Sequence, residues 1–216
     1  MLARMIERLL RARTIDFLVV ATSTSSGDDA VADAAVRAGA EVFRGSEDDV
    51  LARVVGAAGA NRADIIAETT GDCPLHDAAI VDAVVTDYLK GGADFVSNIH
   101  PYTTPRGADV RVFSADALAE IERTSEDPAD REHVSLHFWE HPEKYRLRNV
   151  AFDFPADSTQ LRLTVDTPKD LELVIAIYEE LYPRNPEFTL ADVISLLEQR
   201  PDLAAINAGV EQKAIR

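Results

Sequence analysis

The chain has 216 residues with 38 acidic against 22 basic side chains, a net charge of −16, so its averaged field repels nucleic-acid backbones and anionic membranes. Its one cysteine, Cys73, excludes an intramolecular disulfide and a cysteine-based metal site. No apolar run reaches membrane-spanning length, and the N-terminus lacks the basic-then-apolar order of a signal peptide, so a soluble cytoplasmic protein built as one domain over residues 1–216 is expected.

Leu2, Met5, Ile6, Leu9 and Leu10 recur at helical spacing and predict an opening amphipathic helix. The apolar run Phe17–Ala21 reads as a parallel strand buried on both faces. A helix from Asp28 through Ala38, stopped by Gly39, precedes a strand at Glu41–Phe43. Ser46-Glu-Asp-Asp49 fits a capping box loosely and starts a helix to about Ala58, before a strand at 64–67. A helix over Asp77–Leu89, closed by Gly91-Gly92, leads to a strand at Asp94–Ser97. This alternation predicts right-handed βαβ units and an open, mostly parallel sheet between helix layers, with sites beyond the carboxyl ends of strands.

From Asn98 to Val150 the rhythm changes. Turn formers fill Ile99–Gly107, a strand is expected at 110–113 and helices at 115–124 and 129–140, an elaboration suited to a substrate pocket or subunit contact. Leu161–Val165 returns as a strand, Thr167-Pro168 opens a helix to about Tyr182, and a last helix spans 189–200.

Two aspartates stand at predicted strand ends: Asp72 in Gly71-Asp-Cys-Pro-Leu75 and Asp166 in Leu163-Thr-Val-Asp-Thr-Pro168. Converging on one crevice, they could hold Mg²⁺, which binds one or two carboxylates and completes its shell with water and phosphate. Spacing alone favours the plainer reading, in which each only hydrogen-bonds its own turn. His133, His137 and His141, four residues apart, invite a zinc reading, but Pro142 ends the helix beside His141 and no catalytic carboxylate accompanies them.

Six segments in order, Val19-Val-Ala-Thr-Ser23 with Asp28-Asp29, Phe43–Arg53, Thr70–Leu75, Pro105-Arg-Gly107, Arg131-Glu-His-Val134 and Arg162–Leu171, resemble the cytidylyltransferase family of spore coat polysaccharide biosynthesis protein F. That family is related to the synthetases of CMP-activated acylneuraminate and 3-deoxy-manno-octulosonate. The resemblance implies a Rossmann-like α/β/α nucleotidyltransferase fold, CTP as donor, Mg²⁺, a sugar or sugar-acid acceptor, a homodimer and a role in surface polysaccharide synthesis. It makes Asp72 and Asp166 the metal ligands and catalytic carboxylates. Thr22 and Ser23 become candidates for nucleoside contacts or remain a polar strand terminus, and Arg53 a nucleotide ligand or a partner in an ion pair. Arg106, Arg131, Glu132 and His133 fall on the substrate side, the last three there or at a dimer contact, with Glu132 equally a partner for Arg131.

Family members open with a strand and an Arg-x-x-Ser-x-Arg-Leu-Pro-Gly-Lys loop that cradles the triphosphate, and Met1–Arg8 resembles the helix after that loop. The resemblance therefore implies an upstream strand and loop, with Met1 an internal methionine of a longer protein. The alternatives are a short paralogue that binds a nucleotide or nucleotide sugar without turnover, as an assembly protein of the pathway, and a partner chain or swapped segment that supplies the strand. A glycosyltransferase on the same kind of sheet, using a nucleotide sugar rather than CTP, is a rival reading of the function.

Overall fold

The structure, a computed structural model, describes residues 1–211. The chain runs α1 (Leu2–Leu9), β1 (Val19–Ser23), α2 (Asp29–Arg37), β2 (Glu41–Gly45), α3 (Val50–Asn61), β3 (Ile65–Glu68), α4 (Ala78–Leu89) and β4 (Phe95–Ser97). It continues through β5 (Arg111–Ser114), α5 (Ala115–Thr124), α6 (Pro128–Glu132), α7 (Leu136–Glu140), β6 (Leu147–Asn149), α8 (Pro168–Leu181), α9 (Leu190–Gln199) and α10 (Pro201–Ala204).

Alternation along the strands sorts their side chains into two layers. Val96 of β4 and Val112 of β5 face a core made with Met5 and Leu9 of α1, Ile80 and Val84 of α4, Leu173 and Ile177 of α8, and Val193 and Leu197 of α9. Their neighbours Phe95 and Phe113 face the opposite core, with Leu51 of α3, Leu118 and Ile121 of α5, and Phe138 of α7. The register pairs Phe95 with Phe113 and Val96 with Val112, and Phe138 closes the second layer with ring centroids 5.5 and 4.9 Å from Phe95 and Phe113. Full burial of each such side chain stabilises the fold by about 1.5–3 kcal/mol. The result is the α/β/α architecture that the alternating pattern predicts.

The sheet itself is more mixed than the pattern implies. Among the described residues β1 and β2 form a parallel pair, and β3-β5-β4-β6 form a separate sheet in which β5 is antiparallel to both neighbours and β6 is parallel to β4. The β4–β5 connection carries no crossover helix, so the chain returns alongside rather than parallel. β1 is paired along one edge, with β2, and its Val19, Val20 and Ala21 remain half-buried, in contrast to the strand buried on both faces that its apolar run predicts. Helices bridge the two sheets. Ile6 of α1 packs against Ala35 and Ala40 beside β1 and β2 while Met5 and Leu9 enter the main core. In α3, Gly56 admits the Phe43 ring of β2, where a Cβ would lie 2.6 Å from Cζ, while Leu51 joins the Phe95–Phe113 layer.

Other boundaries shift for local reasons. Asp49, not Ser46, caps α3 by accepting from the Ala52 amide at 2.9 Å. The helix expected over 129–140 breaks into α6 and α7, with His133 as the non-helical C-cap of α6. Leu161–Val165 is not a strand: a single bridge joins Arg162 to Arg106, because its backbone groups pair with a loop.

Candidate active site

Past the end of β3 the chain turns through Thr69-Thr-Gly-Asp-Cys-Pro74 into α4, and the Cys73 amide donates to the Thr70 carbonyl at 3.2 Å. Asp77 stops the turn by capping α4 through the Ala79 amide and also accepts from the Leu190 amide at 2.7 Å, tying α4 to α9. The Cys73 thiol is buried against Thr70 Oγ1 and approaches Asp72 Oδ1 at 3.5 Å. Burial, seconded by Asp72, pushes this thiol well above its usual pKa, so it stays protonated and acts as filler and weak donor. Below it His76 is fully buried without an aligned partner for either ring nitrogen, and burial lowers its pKa to about 4.

Asp72 meets Asp166 through the backbone. The Val165 amide donates to the Asp72 carbonyl at 2.8 Å, which fastens the segment ending in Asp166 to the turn after β3. The same segment is gripped from the 98–110 loop: the Arg106 amide donates to Leu161 O at 3.3 Å and the Leu163 amide to Arg106 O at 2.8 Å. Gly107 makes this approach possible, since at φ +100° its missing Cβ would stand 2.7 Å from the Leu163 carbonyl carbon. Buried Asn98 stiffens the loop through Thr104 Oγ1, the Ala108 carbonyl and the Val110 amide.

Several charges around this junction are paired. Tyr102 and Arg111 donate to Asp109 Oδ2 at 2.9 and 3.2 Å, and the Arg106 guanidinium lies 4.7 Å from the Tyr102 ring centroid. Burial works against the charge on Arg111, but Glu68 and Asp109 more than offset it and raise its pKa. Arg162 is ion-paired to Asp166 and, through Nε at 3.1 Å, to Asp170. Asp166 is about half exposed (54%) and Asp170 fully buried (0%). Asp170, the N3 residue of the α8 capping box, also accepts from the Asp166 amide at 3.1 Å, the Thr167 amide at 2.8 Å and Thr167 Oγ1 at 2.9 Å. Burial raises its pKa, but donors from Asn207, Arg162, Thr167 and Asp166 prevail and bring it down to about 2.

Backbone hydrogen bonds thus join the segments that carry Asp72, Arg106 and Asp166, and the remaining sequence candidates lie on other elements. Thr22 and Ser23 end β1 as buried residues, held to Asp28 Oδ2 by Thr22 Oγ1 at 2.7 Å and the Ser23 amide at 3.0 Å. Arg53 Nη1 donates to the carbonyls of Ser46 and Glu47, so its guanidinium braces the loop before α3. Arg131 is spent on Asp49, Glu122 and the Ser125 carbonyl, which joins α6 to the start of α3. Glu132 is exposed and His133 half-buried beside it. His137 bonds Asp130 at 2.8 Å and stacks on His141, while His133 lies off that helix, and no group of three or more His, Cys, Asp or Glu side chains placed for a metal occurs among the described residues.

Arg162 and Asp170, which bond Asp166, and Asn207, which bonds both of them, are not singled out as site residues by spacing. The Thr167-Pro-Lys-Asp170 capping box marks a helix start, and only the fold reveals that its aspartate also reaches the preceding loop.

The profile of the cytidylyltransferase family matches residues 1–197. The chain belongs to the cytidylyltransferase family. It is 33% identical over 190 residues to the spore coat polysaccharide biosynthesis protein SpsF of Bacillus subtilis, covering 88% of this chain and 78% of that one. Its structure is similar to a cytidylyltransferase from Leptospira borgpetersenii, with TM-score 0.88 and 30% identity, over 99% of this chain and 87% of the other. CMP:2-keto-3-deoxy-manno-octonic acid synthetase, solved in complex with CTP, shares the fold at TM-score 0.59 and 18% identity, over 83% of this chain and 87% of that one.

Proposed function

We propose that this cytidylyltransferase transfers CMP from CTP to a sugar or sugar acid for a surface polysaccharide, with Asp72 and Asp166 as the ligands of Mg²⁺. The observation that carries the reading is the 2.8 Å hydrogen bond from the Val165 amide to the Asp72 carbonyl, which brings two aspartates from distant parts of the sequence to one junction. Their chemistry fits a hard divalent cation. Both donors are carboxylate oxygens, Asp72 meets only a weak thiol donor among the described residues, and half-exposed Asp166 is open to exchange its Arg162 partner. Mg²⁺ bound there would offset charge on the triphosphate and orient the attacking hydroxyl. The protein's own part is positioning: Asp72 and Asp166 fixed through their backbones, and Arg106, stacked on Tyr102, presenting a cation to an anionic substrate. Such local cations let a chain of net charge −16 accept anionic substrates.

Thr22 and Ser23 at the end of β1 are our candidates for nucleoside contacts and Arg53 for the nucleotide, while Arg131, Glu132 and His133 belong to the sugar side or to a homodimer contact. We place the reaction in the cytoplasm, where CTP is made; no helix of the described residues is long and apolar enough to cross a membrane. Pyrophosphate release from CTP and Mg²⁺ with a panel of acidic sugars tests the reading. Release dependent on one of the sugars supports it. CTP binding without release from any sugar favours the second reading, a nucleotide-binding assembly protein, which suits an Arg53 whose guanidinium is engaged by its own loop.

A further inference from the structure

The family match ends at residue 197, yet a side chain beyond it reaches the junction just described. Asn207, in the turn after α10, is buried at 4% exposure, and its Nδ2 donates both to the Arg162 carbonyl at 2.9 Å and to Asp170 Oδ1 at 2.8 Å. The oxygens of Asp170 divide their work. Oδ1 takes Arg162 Nε and Asn207, while Oδ2 takes the Asp166 amide and both donors of Thr167. Turning this carboxylate about its own bond would therefore loosen both sets together. Arg162 pairs with Asp166 as well, so the backbone and the side chain of Asp166 each depend on one buried hub.

We propose that Asn207 is a positioning residue for Asp166, acting through Asp170 and Arg162, so that the C-terminal turn sets where this carboxylate stands. The functional meaning rests on the reading of Asp166 as a metal ligand. The physical reasoning is that a fully buried carboxylate must have its acceptor capacity filled, and a half-filled network is free to rearrange. Without Asn207, Oδ1 keeps the Arg162 donor and the Arg162 carbonyl loses the Asn207 donor, beside a carboxylate that is fully buried. The ordinary alternative is that Asn207 merely fastens the tail. Leu203 of α10 does that from the same segment through apolar packing, with an aliphatic side chain that donates no hydrogen bond to Asp170, and so supplies the control.

The test compares wild type with Asn207→Ala and Leu203→Ala by three measurements. These are hydrogen exchange of the Asp166 amide by NMR, Mn²⁺ binding by electron paramagnetic resonance, and melting temperature. Asn207→Ala is expected to speed exchange at Asp166 about tenfold, because losing both Asn207 hydrogen bonds loosens the network around Asp170, and to weaken Mn²⁺ binding. Leu203→Ala is expected to lower the melting temperature without singling out Asp166. Equal exchange at Asp166 in the two variants, or no change in Asn207→Ala, overturns the proposal. Should Asn207→Ala fail to fold, Asn207→Ser, whose shorter hydroxyl replaces the amide, takes its place under the same criteria. Absence of Mn²⁺ binding to wild type would remove the metal reading of Asp166, while the exchange comparison would still decide the positioning role.

Discussion

Replacing Gly107 by alanine perturbs a close backbone approach in the candidate site. At φ +100° an L-residue is strained by roughly 1–2 kcal/mol. The added Cβ would also stand 2.7 Å from Leu163 C, 2.9 Å from Leu163 O and 3.0 Å from Thr164 N. All three are backbone atoms, which cannot swing aside as a flexible side chain would, and overpacking of this kind costs about 1–3 kcal/mol more. The expected loss is therefore about 2–5 kcal/mol in urea unfolding at neutral pH. Because the 161–166 segment is fastened to Arg106 on one side and to Asp72 on the other, a shift that relieves the clash moves Asp166 away from Asp72. Any Gly107→Ala protein that remains folded should thus bind CTP with Mg²⁺ more weakly than its residual stability accounts for. An unfolding free energy within about 0.5 kcal/mol of wild type would refute the close approach, since that is the scatter of ordinary surface substitutions.

Two further predictions concern the layers around the site. His76 has its pKa lowered from 6.5 to about 4 by burial, so between those values the unfolded chain takes up a proton that the folded one refuses. Stability attributable to this residue should fall as pH drops from about 6.5 toward 4, by roughly 3 kcal/mol at most at 1.36 kcal/mol per pKa unit. His76→Gln should flatten that part of the pH curve, and parallel curves for the two proteins would refute the assignment. Phe138, fully buried against Phe95, Phe113 and Tyr145, should cost about 3–5 kcal/mol when replaced by alanine, read as the shift of the urea midpoint. A shift below about 1 kcal/mol would mean that the second core layer is not closed by this ring.

The α/β/α alternation was legible because its signals are local. The helical spacing of Leu2 to Leu9, the cap at Asp77 and the Thr167-Pro168 start of α8 each appear within a residue or so of where sequence places them. Leu161–Val165 was misread because an apolar run specifies an extended backbone, not its partner, and the partner here is the loop at Arg106. β6 carries the polar sequence Leu147-Arg-Asn149 and is a strand because β4 offers an edge, information absent from its own composition. In the candidate site, Asp72 and Asp166 stand at predicted strand ends, where spacing alone favours a turn, and it is the resemblance to the family that marks them as ligands. The hub that serves Asp166 did not stand out, because Asp170 and Asn207 are 37 residues apart and look like a helix cap and a tail residue. Arg131 reads within its motif as a residue of the substrate side or a dimer contact, and its ion pairs with Asp49 and Glu122, one of them 82 residues away, are visible only in the fold.

The central claim, that Asp72 and Asp166 form a Mg²⁺ site for a cytidine nucleotide, is tested most directly by calorimetric titration of CTP into wild type, Asp72→Asn and Asp166→Asn, with and without Mg²⁺. The account predicts binding to wild type that requires Mg²⁺ and is abolished in each variant. Mg²⁺-dependent binding that survives unchanged in both variants would contradict it.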